Sequence, residues 1–191
     1  MDKVITISRE FGSGGREFGI KLAEALGIPF YDKEIITEAA KNSGLSESFV
    51  ESIEESVPKI FSATLYSYYQ LPMSDQIFIA QSDVIKQLAK RGPCVIVGRC
   101  ADAVLSDSIN IFVHADMEHR IRRKLELGIG VPEDKMEKHI LDMDKKRKKY
   151  HSYYSHKNWG EAKDYHLSLD TGLIGIDGCL DAALAYIKHV K

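Results

Sequence analysis

Four small residues near the amino terminus are of the types that bind phosphate through the backbone. They lie between the apolar run VITIS and a helical pattern, and they are Gly12, Ser13, Gly14 and Gly15. Successive N–H groups in such a turn can point into one concavity at the positive end of a helix dipole, where an anion is stabilised. Arg16 comes next and can add a permanent positive charge and two parallel donors for phosphate oxygens. We therefore expect residues 12–17 to bind the phosphates of a nucleotide.

The end of this turn departs from the G-x-x-x-x-G-K-[ST] pattern of nucleotide-binding loops. Arg16 stands where the pattern has lysine, and Glu17 stands where it has the hydroxyl that binds Mg²⁺. The alternative interpretation is a tight turn whose glycines only allow the strand and the helix to pack closely. The two interpretations predict opposite outcomes for phosphate binding.

Charged side chains also follow two later apolar runs. Arg99 and Asp102 come after CVIV, at the predicted end of a strand, and Arg99 can bind the phosphate of an acceptor. The alternative is a surface ion pair between Arg99 and Asp102 across the first helical turn. After INIFVH come Arg120 and Arg123, which are three residues apart and therefore share one face of a helix.

The segment DMDKKRKKYHSYYSHKNWG combines many cations with aromatic and histidine side chains. Within it, Asp144 and Arg147 are three residues apart. A run of Lys and Arg is usually a solvated helix face. The aromatic residues that follow favour a segment that covers bound anions, and we expect Arg147 to reach them.

Apolar runs alternate with helical patterns along the chain. The runs are mostly continuous and rich in β-branched residues, which predicts a parallel sheet covered on both faces. Strands are predicted at 4–8, 28–32, 94–97, 109–113 and 166–169. Helices are predicted at 17–26, 33–42, 46–56, 75–90, 117–127, 133–150 and 177–188. The alternation implies right-handed βαβ units with ligands at the carboxyl ends of the strands.

Two longer segments interrupt this alternation, and both are expected to project over the ligand edge of the sheet. We predict one domain over residues 1–191, with a core, a helical acceptor-binding insertion and a basic lid. The core comprises 1–32, 92–127 and 166–191, the insertion 33–91, and the lid 128–165.

Composition excludes several classes of protein. The chain has 191 residues with 26 basic and 28 acidic side chains, a net charge of -2, which argues against coating nucleic acid or an anionic membrane. No apolar run approaches the roughly 20 residues of a membrane span. The three cysteines lack a Cys-x-x-Cys pair and a nearby histidine ligand. We therefore expect reduced thiols, no metal site formed by protein side chains, and a cytoplasmic location.

Two alternatives concern the segment after the second predicted strand. Residues 34–55 fit a helix-turn-helix around Gly44, but its second helix would present glutamates to DNA phosphates, so DNA binding is not expected. The aromatic stretch at 60–73 is either a buried helix of the insertion or a homodimer contact.

The sequence resembles the cytidylate kinase-like family over nearly its whole length. The resemblance rests on ITISREFGSGGREFGIKLAEALGIPFYDKEII, then VGRCAD, then the arginine helix and DMDKKRKKYH. It implies a P-loop NTPase fold, a three-layer α/β/α arrangement around a five-stranded parallel sheet. It also implies a phosphate loop at 12–16, an acceptor arginine at Arg99, lid arginines at Arg120 and Arg123, and an acceptor-binding pair at Asp144 and Arg147.

The same resemblance assigns Asp32 to the start of the acceptor region, and the sequence departs from the family pattern at three positions. Cys100 replaces the aspartate of a Gly-Arg-Asp motif, the loop lysine is missing, and Ile140 replaces a further lid arginine. We predict an enzyme that uses ATP and Mg²⁺ to phosphorylate a small acceptor, a nucleoside monophosphate such as CMP. Catalysis is assigned to Arg16, Arg120, Arg123 and Arg147. The alternative is a non-catalytic nucleotide sensor that keeps the fold.

Overall fold

The structure is a computed structural model that describes residues 3–33, 36–37 and 71–190. In this part of the chain, five parallel strands form one sheet. The strands are β1 (Val4–Arg9), β2 (Phe30–Tyr31), β3 (Val95–Val97), β4 (Ser108–His114) and β5 (Leu167–Asp170). Their spatial order is β2-β3-β1-β4-β5, and every neighbouring pair is parallel. The predicted parallel sheet is confirmed.

Helices cover both faces of this sheet. They are α1 (Gly15–Leu26), α2 (Met73–Lys90), α3 (Ala101–Val104), α4 (Met117–Glu126), α5 (Glu133–Ser155) and α6 (Thr171–Ile187), with a short 3-10 helix at Ala162–Asp164. α1 and α6 pack on one face, where Ile5 and Ile7 lie. α2 and α3 pack on the other face, where Val4 and Ile96 lie. The alternation along β1 therefore builds the predicted three-layer α/β/α fold.

Several predicted helix boundaries differ from the observed ones, and three of the differences have a clear structural basis. α1 begins at Gly15, because Gly14 adopts the left-handed conformation before it. α5 continues to Ser155 and so includes the aromatic residues after the lysine run. α6 begins at Thr171, because the side chain of Asp170 accepts hydrogen bonds from the N–H groups of the first helical turn. A backbone break at Gly175 separates this turn from the periodic part of the helix.

Several predictions fall mostly outside the described residues. They concern the helices at 33–42 and 46–56, the helix-turn-helix alternative and the aromatic stretch at 60–73. Among the described residues, no helix combines the length and the apolar character that crossing a membrane requires.

The sheet brings the functional segments to one edge. The turn after β1, Gly98 after β3 and α4 after β4 all follow the carboxyl ends of central strands. α1 can approach the sheet closely because Gly19 has no side chain. A Cβ atom there would lie 2.9 Å from Cγ2 of Val97 and 3.1 Å from both Cδ1 of Ile7 and Cε2 of Phe30.

Replacing Gly19 by valine should therefore destabilise the fold. Overpacking a close-packed core costs roughly 1–3 kcal/mol, and we expect a loss of about 2 kcal/mol in the free energy of unfolding, measured by urea denaturation. Glu24→Ala, at an exposed position of the same helix, is the control and should change stability by less than about 0.5 kcal/mol. Equal stability of Gly19→Val and the wild type would contradict the close approach of α1 to the sheet.

Candidate functional site

The glycine turn between β1 and α1 has a backbone that requires glycine at two positions. Gly12 has φ 89° and Gly14 has φ 77°, both in the left-handed region that other residues rarely adopt. A Cβ atom at Gly12 would lie 3.0 Å from Cβ of Arg120, and one at Gly14 would lie 2.8 Å from Cδ1 of Ile176. The two glycines therefore allow the conformation of the turn, and α4 and α6 pack directly against it.

Backbone donors remain open at the start of α1. In the described part of the chain, the N–H groups of Gly15, Arg16 and Glu17 have no hydrogen-bond acceptor, whereas the N–H of Phe18 bonds to the Gly14 carbonyl at 2.9 Å. The N–H of Phe11 is already used, since it donates to Oδ1 of Asp144 at 2.7 Å. Three adjacent donors at the amino end of a 12-residue helix favour an anion.

A cavity of about 570 Å³ opens onto this turn. It is lined by residues from the turn, from α1, from α4 and from α5. The cations in its wall are Arg9, Arg16, Lys33, Arg123, Lys124 and Arg147, and the carboxylates are Glu10, Glu17 and Asp32. The structure thus brings most of the predicted phosphate-binding residues to one cavity.

Arg16 lies in this cavity but is held by a carboxylate. Its Nε lies 2.8 Å from Oδ2 of Asp32, whose side chain is only 5% exposed, and its guanidinium lies 5.8 Å from the centre of the Phe30 ring. The sequence predicts that Arg16 binds the nucleotide and that Asp32 binds the acceptor, yet in the structure the two side chains form one ion pair. A phosphate that approaches Arg16 must therefore share its charge with Asp32.

The two predicted arginines of α4 are also paired with carboxylates. Arg120 is buried, with Nη1 2.5 Å from Oδ2 of Asp144 and 3.3 Å from Oε2 of Glu10. Burial raises the pKa of Glu10, and Arg120 opposes that rise. Arg123 is half-buried and bonds through Nη2 to Glu17. Arg120 therefore joins α4 to α5, while Arg123 stays in the cavity wall. The catalytic roles of both remain predictions.

Arg147 occupies the boundary between this cavity and a second one. Its Nη1 donates to the carbonyl of Arg9 at 2.8 Å, and its guanidinium lies 5.3 Å from the centre of the Phe11 ring. Burial lowers the pKa of Arg147, which Asp144 partly offsets. Four residues line both cavities, namely Arg9, Lys33, Met143 and Arg147.

The second cavity, of about 280 Å³, lies beyond Arg147 and contains the predicted acceptor arginine. The guanidinium of Arg99 lies 5.5 Å from the centre of the Tyr150 ring. Trp159 and Tyr150 provide aromatic surface in the same wall, and Lys146 adds a further cation. Arg99 and Cys100 have φ values of 56° and 53°, so the chain turns sharply after β3 and points Arg99 to the ligand edge.

Asp102 does not form the surface ion pair with Arg99 that is the alternative prediction from the sequence. It is buried, and its Oδ2 lies 2.7 Å from Nε2 of His151, which is also buried. From its position after β3, Asp102 is also predicted to bind the substrate together with Arg99, and this role stays a prediction. The observed contact instead anchors α5 to α3 beneath the second cavity.

Sequence reasoning missed Lys124, Tyr150 and His151. Lys124 directly follows Arg123 in a run of three cations, and nothing in the sequence separates it from the other two. Tyr150 lies three residues after Arg147 and therefore shares its helix face, a signal that helical periodicity carries. His151 could not be paired with Asp102 from spacing, because the two are 49 residues apart.

Comparison with known proteins gives the relationship that the residues suggest. Residues 4–173 match the cytidylate kinase-like family. The chain belongs to this family. A comparison with curated proteins gave no match.

Solved structures agree with the family fold. A crystal structure of an uncharacterized protein from Eubacterium ventriosum is 30% identical, with a TM-score of 0.77, and the alignment covers 98% of this chain and 99% of that one. A shikimate kinase from Bacteroides thetaiotaomicron is 13% identical, with a TM-score of 0.54 and coverage of 98% and 99%. A gluconokinase from Sinorhizobium meliloti is 15% identical, with a TM-score of 0.52 and coverage of 98% and 98%. At these low identities the two kinases show the fold alone, which is that of the P-loop kinases.

Replacing Asp102 by asparagine should weaken the attachment of α5. A hydrogen bond to a charged group is worth roughly 1.5–3 kcal/mol, and we expect a loss of that size in the free energy of unfolding. Asp107→Asn is the control, because Asp107 is 78% exposed and pairs with Lys3 at the surface, where such pairs contribute under about 1 kcal/mol. Equal effects of the two substitutions would show that the buried contact is not formed.

The cysteines should be unreactive in the native protein. All three are buried and unpaired by disulfides, and burial raises the pKa of Cys94 and Cys179 to about 11 and that of Cys100 to about 12. At about pH 8 little of each thiol is ionised, and the thiolate is the reactive form. Iodoacetamide should add no mass to the folded chain and three adducts after denaturation, as measured by mass spectrometry. Rapid labelling of native Cys100 would contradict its burial.

Proposed function

We propose that the protein transfers the γ-phosphoryl group of ATP to a small acceptor, a nucleoside monophosphate such as CMP. The observation that carries this proposal is the row of open N–H groups at the start of α1 and its position beside two adjoining cavities. Membership of the cytidylate kinase-like family supports the same reaction class. In this proposal the larger cavity takes the nucleoside triphosphate and the smaller one the acceptor.

The larger cavity fits a polyphosphate. The donors of Gly15, Arg16 and Glu17 would bind phosphate oxygens, since no carboxylate or carbonyl in the described residues accepts from them. Arg123 and Arg147 line the same cavity as the turn and would neutralise further charge. Arg123 is paired with Glu17, and Arg147 lies close to Asp144. Binding of the polyphosphate would therefore rearrange ion pairs that already exist.

The residues around the turn fit a Mg²⁺ ion that is bound mainly through the phosphates of the nucleotide. Among the described residues, no group of three or more His, Cys, Asp or Glu side chains could hold a metal. Glu17 stands where a hydroxyl ligand is expected and contacts Arg123 instead. Mg²⁺ commonly keeps several waters and binds through substrate phosphates with one or two carboxylates. Glu17 and Glu10 are the carboxylates of the cavity wall nearest the turn in sequence.

The smaller cavity fits an acceptor that has both a phosphate and an aromatic base. Arg99 and Lys146 supply positive charge for the phosphate, and Tyr150 and Trp159 supply surface on which a base can stack. A sugar acid or a shikimate-like acceptor would use the cations but not the aromatic surface. This combination favours a nucleotide acceptor over a simple carboxylate.

Bound ATP with Mg²⁺ would supply an activated phosphoryl group, transferred as an acceptor oxygen bonds to the γ-phosphorus and the bond from phosphorus to the bridging oxygen of ADP breaks. The protein contributes position and charge rather than covalent chemistry. Arg147 lies between the cavities and is fixed by the Arg9 carbonyl and the Phe11 ring. It is therefore the side chain best placed to neutralise the group in transit.

Arg147→Ala should lower turnover strongly. Loss of a preorganised electrostatic donor costs roughly 2.7–4 kcal/mol, so kcat should fall on the order of a hundredfold to a thousandfold. The measurement is ADP release with ATP, Mg²⁺ and a panel of nucleoside monophosphates. Lys148→Ala, at the next, exposed position of α5, is the control and should keep wild-type activity.

Two results would refute the proposal in different ways. Saturable nucleotide binding without ADP release for any acceptor would favour the non-catalytic sensor. Turnover that Arg147→Ala leaves unchanged would retain the enzyme but remove Arg147 from its site.

A further inference from the structure

We propose that Lys124 of α4 binds the terminal phosphate of the nucleotide, in place of the lysine that the glycine turn lacks. This inference rests on the proposed binding of a nucleoside triphosphate in the larger cavity. It assigns the missing ammonium group to a different element, α4, which lines the same cavity as the turn.

The arginines assigned to this task from sequence are each engaged by carboxylates. Arg16 is held through Nε by Asp32, and Arg123 is held by Glu17. Arg120 is buried between Asp144 and Glu10. These contacts fix the arginines and offset much of their charge before any ligand binds. None of the three is equivalent to a free ammonium group beside the phosphate loop.

Lys124 differs from them in its surroundings. Its Nζ lies 4.4 Å from the centre of the Phe11 ring and the side chain lines the larger cavity. In the described part of the chain, no carboxylate lies within ion-pair distance of this ammonium. Burial, and after it the charges of its neighbours Arg123 and Arg147, lower the pKa of Lys124. An anion placed between such cations relieves their mutual repulsion.

The ring of Phe11 lies against this ammonium, directly beside the glycine turn. Its ring also contacts Arg147 at 5.3 Å and meets the ring of His139 edge to face at 5.4 Å. Its N–H is held by Asp144. The ring thus holds two cations, Lys124 and Arg147, directly beside the glycine turn. A lysine ammonium is a compact point charge that can follow a moving group, whereas a paired guanidinium is fixed.

The test compares Lys124→Met with Arg122→Met by isothermal titration with ATP and with ADP. Methionine keeps much of the apolar stem that packs on Phe11, so the fold should be retained, and the melting temperature checks this. Arg122 is the matched control, since it lies on the same helix but lines a groove formed by Met117, Ile121 and Leu125. We expect Lys124→Met to weaken ATP binding about tenfold or more, the effect of losing a charge-assisted hydrogen bond, and ADP binding less than twofold.

Arg122→Met should leave both affinities unchanged, and Lys124→Arg should restore part of the preference for ATP. Equal losses for ATP and ADP, or no loss for either, would overturn the inference. The titration needs no turnover, so it decides the role of Lys124 even if no acceptor is phosphorylated. A wild-type chain that binds neither nucleotide would refute the inference together with the function on which it rests.

Discussion

One carboxylate, that of Asp144, holds together the parts of the site. Its Oδ1 accepts from the N–H of Phe11 in the glycine turn, and its Oδ2 accepts from the buried Arg120 of α4. α5 is therefore attached to both the turn and α4 through a single side chain. Because breaking a buried pair leaves an uncompensated charge, this arrangement is costly to disrupt. The positions of Arg147, Tyr150 and His151 follow from it, since all three lie on the same helix.

The charge distribution around the larger cavity explains how a lysine-free turn can remain compatible with a polyanion. Arg16 and Arg123 are paired with Asp32 and Glu17. Such pairs keep several arginines together without the strong repulsion that a cluster of unpaired cations would produce. The open donors at the start of α1 carry no formal charge and need no counter-ion. The site thus combines a neutral backbone nest with two arginines that are paired to carboxylates, while the cavity wall as a whole keeps more cations than carboxylates.

The sequence was sufficient to predict the parallel sheet, the three layers and the glycine turn, because these depend on local patterns. Continuous runs such as CVIV and INIFV indicate buried strands, and clustered glycines indicate a special backbone. Ion-pair partners were not predictable, because they depend on which segments meet in space. Asp102 contacts His151 rather than Arg99, and Arg120 contacts Asp144, which is 24 residues away. The start of α6 was also missed, because Gly175 interrupts the apolar period that identifies a helix.

The length of α5 has a mechanical consequence. Its 23 residues form a rod of about 35 Å, and side chains along it contact the glycine turn, the wall between the cavities and the buried aspartate of α3. A tilt of such a rod would displace all three contacts, and it would alter both cavities because Arg147 and Met143 of this helix line both of them. A ligand that tilted this rod at one end would therefore shift its contacts at the other, and such a coupling would act equally in both directions.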